Sequence, residues 1–562
     1  MKLSWGHPSS IVISGILVGI PAGAAAIFIF VLVSNGFRFV YEYLISLSIW
    51  QFGLFSLALI LFATRLASWL TTQWAPLSSG SGVSQMKLIY WRDQGHIPIK
   101  ATFAKFFASV VGLISGIGLG RRGPSVFICA GIASAIADLI RLPPRQKKNA
   151  CAAGAAAGLA ACFNTPLAAV TFFLEEVLGD LNSRRLGIVL LAAIIGAGTY
   201  HLIIGNFAIY PLVDIKNFDL KWYIPAVITG IGSSLIGIAF IFCIKAIIRQ
   251  SKSFAAKPYW LYPIIGAFGG WAICFLVFAF FKTTGLFGTG DPELNRIFNG
   301  ELSVSIVWIL LVCKFLSVCL YYGTGGCGGI FGPLIFLGGA SGYAIGATIN
   351  IFFDIGPHGP VAMAALGMCA CFGCVVKAPI TGILMLFEMT HSFEILPPLM
   401  LVTLISQSIS KKFNSLSIYD SLLILSGNDL ERHIPPRDFD QWLRKPTATL
   451  ANLNPKYLDS IIPEDIEEFL KSAHYDTYPV VENGVPIGVT TIDELRRSLK
   501  ENRSPELSHP ITVYPATPIS ETQQKLLQSK SNIALVVDSK KGKLLGILSL
   551  RDILRAELNR SH

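Results

Sequence analysis

The sequence predicts an all-α, polytopic membrane protein built from two related halves, followed by a smaller α+β tail. Composition, a succession of long uncharged stretches and an internal repeat carry that reading. Of 562 residues only 14% are charged, against about 25% in ordinary soluble proteins. Hydrophobic residues reach 52% and the mean hydropathy is +0.58. So little charge cannot cover a water-facing surface, and so much apolar character excludes intrinsic disorder. The net charge of +11 suits a membrane protein with basic loops. No basic run is interleaved with aromatics, so no nucleic-acid partner is expected.

Uncharged stretches over 11–33, 43–64, 149–174, 186–213, 222–244, 258–281, 315–353, 356–376 and 395–410 approach or exceed the ~20 residues of a spanning helix. The first is too long for a signal-peptide core and lacks a clear cleavage site, so it is expected to be retained. Others are interrupted by Gly and Pro. The stretches 106–120 and 125–137 flank Arg121-Arg122-Gly123-Pro124. Irregular backbone is not tolerated against lipid, so such breaks belong in the protein interior or along an aqueous path.

Gly154, Pro166 and Glu175 recur as Gly367, Pro379 and Glu388, at a constant offset of 213 residues. Pro124 recurs as Pro333, 209 residues on. Broken helices at corresponding places in two halves point to a binding site at their interface. Three Gly-rich breaks stand where helices can begin: Gly80-Ser81-Gly82-Val83-Ser84, Gly120-Arg121-Arg122-Gly123-Pro124 and Gly328-Gly329-Ile330-Phe331-Gly332-Pro333. A helix start offers unpaired N–H groups and partial positive charge. Three of them converging would hold an anion without a fixed full charge, firmly enough to dehydrate it and weakly enough to release it.

Polar residues become frequent after Lys411. Residues 477–482 and 487–489, then 533–538 and 545–548, form two β-hairpin patterns with Gly484 and Gly542 at the turns. A charged amphipathic helix follows each, over 492–500 and 551–560. The eleven cysteines suggest no disulfide framework. Cys369, Cys371 and Cys374 read as small packed residues rather than metal ligands, and no metal site or enzyme motif is expected. His391 and Glu388 read as a structural pair.

These motifs, in this order, resemble the CLC family of chloride channels and proton/chloride exchangers. Gly80–Val83 resembles the family's GSGIP motif, Gly120–Pro124 its GREGP and Gly328–Pro333 its GGIFAP. Phe163-Asn164-Thr165-Pro166-Leu167-Ala168 through Glu175-Glu176 resembles FNAPLAG…EE. The resemblance implies a CLC-like inverted-topology repeat over 1–425, with halves of roughly 1–215 and 216–425. It further implies a linker over 426–444 and a cytosolic pair of CBS domains over 445–503 and 504–562. Chloride would be held by the Ser81 hydroxyl, the N–H groups of Ile330 and Phe331, and the Tyr419 hydroxyl. Ser81, rather than the proline of the nitrate-preferring branch, favours chloride. Ser84 replaces the motif's usual proline.

One position departs from the pattern. Arg122 stands where the family has its gating, proton-carrying glutamate, and an arginine does not release its proton. The resemblance therefore implies passive chloride conduction uncoupled from protons, with an exchanger using another acid as the alternative. A poorly conducting anion or nucleotide sensor is a further one. Glu176 matches the inner proton-relay glutamate and is either an active relay or an inherited structural residue. A cation at a helix start is unfavourable, and Arg121 adds a like charge beside it. Arg122 would thus enrich chloride, bind it too tightly, or sit solvated in the outer vestibule. In the tail, Ser549 and Asp552 match the nucleotide-binding pattern of CBS domains. Thr491 with Asp493 or Glu494 is its less regular counterpart. Adenine nucleotide is a possible ligand there, and no cofactor is required for transport. The family implies a homodimer in an inner or plasma membrane.

Overall fold

The computed structural model describes residues 8–179, 186–205, 207–212, 220–253, 260–413, 416–428, 445–473, 475–529, 531–539 and 542–553. The chain divides into two compact units, Met1–Leu430 and Glu431–His562. Most of the expected linker lies outside the described residues.

The first unit is helical throughout. Its first half runs α1 (Pro8–Ile45), α2 (Ile49–Trp69), α3 (Val83–Arg92), α4 (Ile99–Ile114), α5 (Arg122–Leu139), α6 (Pro144–Phe163), α7 (Pro166–Phe172) and α8 (Leu186–Ile203). Its second half runs α9 (Tyr223–Ser253), α10 (Leu261–Phe281), α11 (Asp291–Phe298), α12 (Val304–Gly323), α13 (Phe331–Asn350), α14 (Gly359–Val376), α15 (Pro379–Thr390) and α16 (Leu396–Phe413). A short α17 (Ile418–Leu425) follows and ends just before the expected linker. Among the described residues nine helices are long and apolar enough to cross a membrane.

Three expected stretches resolve differently. The stretch 315–353 is two helices, because the Gly-rich run from Gly323 to Gly329 cannot propagate one. The stretch 149–174 breaks at Asn164, which adopts a left-handed φ of 54°, and Pro166 then starts α7. The stretch 395–410 forms α16, but Ser, Thr, Gln and Lys leave it too polar to count among the nine.

The core is α5, α6, α13 and α14. Every residue of α14 is buried, and its 18 residues pack along α13. Contact is backbone to backbone: a Cβ on Gly367 would stand 2.4 Å from the Gly338 carbonyl oxygen. Small residues let helices approach this closely in lipid, where apolar burial alone gives no drive to associate. The outer helices α2, α9 and α10 turn large apolar side chains outward, among them Phe62, Phe242 and Phe280.

The repeat is visible as an exchange of carboxylates. Glu388, on α15, accepts from the N–H groups of Leu167 and Ala168 at the start of α7, both at 2.9 Å. Glu175, just after α7, accepts from Ile380 and Thr381 N–H at the start of α15, at 3.1 and 2.8 Å. Each half thus caps a helix of the other. Glu388 is engaged in this cap. Glu388→Ala leaves two N–H groups without their carboxylate, and a loss of about 1–2 kcal/mol is expected from thermal unfolding in detergent.

In the second unit, β1 (Thr477–Glu482) and β2 (Val485–Thr491) form a hairpin. Strand β3 (Ile511–Val513) runs parallel to β4 (Ile533–Val537), which pairs antiparallel with β5 (Leu544–Ser549). Helices α18 (Pro463–Lys471), α19 (Ile492–Glu501) and α20 (Ile519–Gln528) pack beside them. Most of the helix expected over 551–560 lies outside the described residues. The two β-α units exchange their leading segments: Asn452 pairs with Ile547, and Ser508 with Val489.

Candidate functional site: three fused helix starts

The three Gly-rich breaks become the starts of α3, α5 and α13, and they meet. Gly120 and Gly329 donate to each other's carbonyl oxygens at 2.7 Å, joining equivalent motifs of the two halves. Gly82 has φ +97°, and a Cβ there would meet the Gly123 oxygen at 2.4 Å. A Cβ on Gly123 would meet the Ser81 oxygen at 2.4 Å. Only glycine permits backbones this close.

The expected anion ligands gather around this junction. Ser81 is fully buried, and its Oγ lies 3.2 Å from Ser84 Oγ. Ser84 therefore orients the Ser81 hydroxyl, which the usual proline could not do. The first α13 bond runs from Leu334 N–H to Ile330 O, so the Ile330 and Phe331 N–H groups precede the helical ladder. Tyr419, on α17, is fully buried, and its hydroxyl has no hydrogen-bond partner among the described residues. A buried hydroxyl without an acceptor is costly, and an anion would relieve it. Phe331 packs on Phe163 and Phe172 at ring distances of 4.7 and 5.8 Å, and Phe172 in turn meets Tyr419.

At the other end Arg122 is only 4% exposed, which removes the reading of a solvated vestibule arginine. Its guanidinium lies 4.3 Å above Phe163, and Nη2 is 3.4 Å from Asp291 Oδ1. Arg121 Nη2 reaches the other oxygen of Asp291 at 3.1 Å. Asp291 thus answers the puzzle of two cations at a helix start. Tyr210 is buried beside Arg122 and Asp291, its ring stacked on Phe298.

Glu176 is 1% exposed and pairs with Lys87, whose Nζ is 2.9 Å away and fully buried. Lys87 also pairs with Asp420. Ser417 Oγ donates to Glu176 at 2.9 Å and contacts Asp420 at 3.1 Å. A π-helical turn over Phe173–Leu178 sends the adjacent Glu175 and Glu176 to different partners, one to α15 and one to Lys87. Lys87, Asp420, Ser417, Asp291 and Tyr210 were not singled out from the sequence. A lone lysine in the Val83–Tyr90 run is a signal that intramembrane charges usually carry.

Residues 61–411 match the family model described as voltage gated chloride channel. The chain belongs to the voltage-gated chloride channel (CLC) family. Residues 506–559 match the CBS domain model. Among curated CLC relatives is the Vibrio campbellii H(+)/Cl(-) exchange transporter ClcA, 31% identical over 384 residues, 65% of this chain and 79% of that protein. Another is the Escherichia coli voltage-gated ClC-type chloride channel ClcB, 28% identical, covering 58% of this chain and 77% of that one. A solved slow cyanobacterial Cl-/H+ antiporter superposes with TM-score 0.66 at 24% identity, over 75% of this chain and 99% of its own. A eukaryotic CLC transporter superposes with TM-score 0.63 at 20% identity, over 96% and 97% of the two chains. The CLC fold and an integral membrane protein of chloride transport follow.

In the tail, Asp552 is exposed and accepts from the Ser549 hydroxyl at 2.6 Å. Thr491 caps α19, accepting from Glu494 N–H. Glu494 is tied to Arg503 at 2.7 Å, whereas Asp493 is exposed. Cys369 faces Thr403 and Cys374 faces the Ser234 carbonyl, so the two point to different neighbours.

Proposed function

We propose that this CLC protein moves chloride along a pathway from Arg122 past Ser81, Ile330 and Phe331 to Tyr419, and that proton coupling is absent. The observation that carries this is the Arg122–Asp291 pair: the gate position holds a buried cation already engaged by a carboxylate. Arg122 cannot shuttle protons. At the inner position Glu176 is already engaged, by the Lys87 ammonium and the Ser417 hydroxyl. The second reading is proton/chloride exchange. The names of the relatives favour it, since ClcA is called an exchange transporter. It would require another acid to substitute for the missing glutamate at the outer end. The tail is read as a cytosolic CBS pair in which Ser549 and Asp552 meet a nucleotide ribose, and the protein as a homodimer.

Paired chloride and proton flux from proteoliposomes under an outward chloride gradient separates the two readings. Chloride efflux that needs a potassium shunt, with no uphill proton movement, is expected. Uphill proton movement in the wild type would establish exchange instead.

A further inference from the structure

We infer that Asp291 is a tethered competitor for chloride, lent to the pathway by α11 in place of the carboxylate that α5 lacks. The inference rests on the chloride pathway proposed above. The two carboxylate oxygens of Asp291 are used unequally. Oδ2 is held by Arg121 Nη2 at 3.1 Å and by the Thr289 hydroxyl at 3.0 Å. Oδ1 reaches Arg122 Nη2 at 3.4 Å, near the limit of a hydrogen bond. The contact to Arg122 is therefore the weaker one, and the carboxylate can lose it while staying anchored to Arg121 and Thr289.

Arg122 keeps donors to spare: its Nε, like that of Arg121, is buried without an acceptor among the described residues, and Tyr210 is the other polar group beside it. A Cβ on Gly332 would stand 3.6 Å from Nη1, so the guanidinium lies against the start of α13, where the Ile330 and Phe331 N–H groups are found. Two arginines and one aspartate leave one buried positive charge uncompensated within this cluster. One chloride at Arg122 would balance it, and buried charge is tolerated only when paired.

Space for the carboxylate lies on the Arg121 side. A cavity of about 450 Å³ is lined there by Arg121, Asp291, Glu293, Tyr41 and Phe37. Gly288 and Gly290, both at positive φ, precede Asp291. Lys314 holds the carbonyls of Leu286 and Gly288 at 3.1 and 2.8 Å, fixing the base from which Asp291 extends. Chloride at Arg122 and Asp291 on Arg122 are alternatives, and their balance sets the apparent chloride affinity.

The charged and titratable groups facing Asp291 are Arg121 and Arg122 of α5, Tyr210 after α8 and Lys314 of α12. Burial pushes the Asp291 carboxyl up, but Arg122 and Arg121 outweigh it and hold the group below its ordinary value. Asp291 therefore stays charged, and keeps competing, down through the usual carboxylate range of about 4. Chloride affinity governed by Asp291 is flat from neutral pH to that range and tightens below it.

The test is chloride titration of the full-length protein in detergent, with flux in proteoliposomes alongside. Asp291→Asn is expected to tighten apparent chloride affinity by about tenfold, as removal of a charged competitor should. The gain should vanish in Arg122→Gln/Asp291→Asn, which a merely structural role for Asp291 would not produce. Wild-type affinity in a folded, chloride-transporting Asp291→Asn protein overturns the inference. So does a gain that persists without Arg122. Should Asp291→Asn fail to fold, Asp291→Glu keeps the charge and extends its reach. It is expected to weaken chloride binding, and unchanged binding overturns the inference. Wild-type protein that neither binds nor moves chloride defeats the pathway reading itself, a result distinct from all of these.

Discussion

Lys87→Met is expected to destabilise the protein by about 3–5 kcal/mol at neutral pH, because it removes the cation from a buried ion cluster and leaves its carboxylates behind. Lys87 is fully buried and holds both Glu176 and Asp420. Methionine matches it in shape, so little of the effect arises from packing. What remains is Glu176 and Asp420 on either side of Ser417 without the Lys87 ammonium that bridges them. Acidification should recover part of the loss, since protonating either carboxylate removes the repulsion. Glu176→Gln in the same background should recover it at neutral pH. Thermal unfolding in detergent across pH, read for the single and double variants, checks both. A Lys87→Met protein as stable as the wild type would show that this cluster is not what holds α3, the π-helical turn and α17 together.

Gly123→Ala is expected to abolish most transport. The new methyl would meet the Ser81 carbonyl oxygen at 2.4 Å and the Gly329 Cα at 3.1 Å. Both obstacles are backbone, so no side chain can swing aside. The starts of α3 and α13 must separate, at about 1–3 kcal/mol of strain or more. Backbone donors pushed apart no longer converge on one dehydrated ion, and chloride flux should fall by about tenfold or more. Gly187→Ala is the matched control: nothing lies within 4 Å of its added methyl, and flux should be unchanged.

The breaks were legible in the sequence because Gly and Pro interrupt apolar runs, and a spanning helix cannot absorb such interruptions where it faces lipid. The repeat was legible because Pro166 and Pro379, with Glu175 and Glu388, keep one spacing. Its meaning was not: a constant offset does not reveal that each glutamate caps the other half's helix. The fusion of 315–353 into one stretch had a simple cause. No charge separates α12 from α13, and glycine scores as neutral in an apolar run. Arg122 stood out as a departure from the resemblance, but its partner did not. Asp291 is 169 residues away, and Lys87 meets Glu176 and Asp420 across 89 and 333 residues. Ion pairs at such separations leave no local pattern, whereas caps and turns do. Ser84 was visible as a substitution without a reason, and its bond to Ser81 supplies one.

The exchanged glutamates also order events during synthesis. When the first half leaves the ribosome, the start of α7 has no acceptor of its own, since Glu388 has yet to be made. Glu175 likewise waits for Ile380 and Thr381. Neither half can complete this pair of caps alone. The final closure of the first half is therefore deferred until the last helices have inserted. Truncations that end before α15 should leave an inserted but protease-sensitive intermediate, and supplying the second half as a separate chain should rescue it.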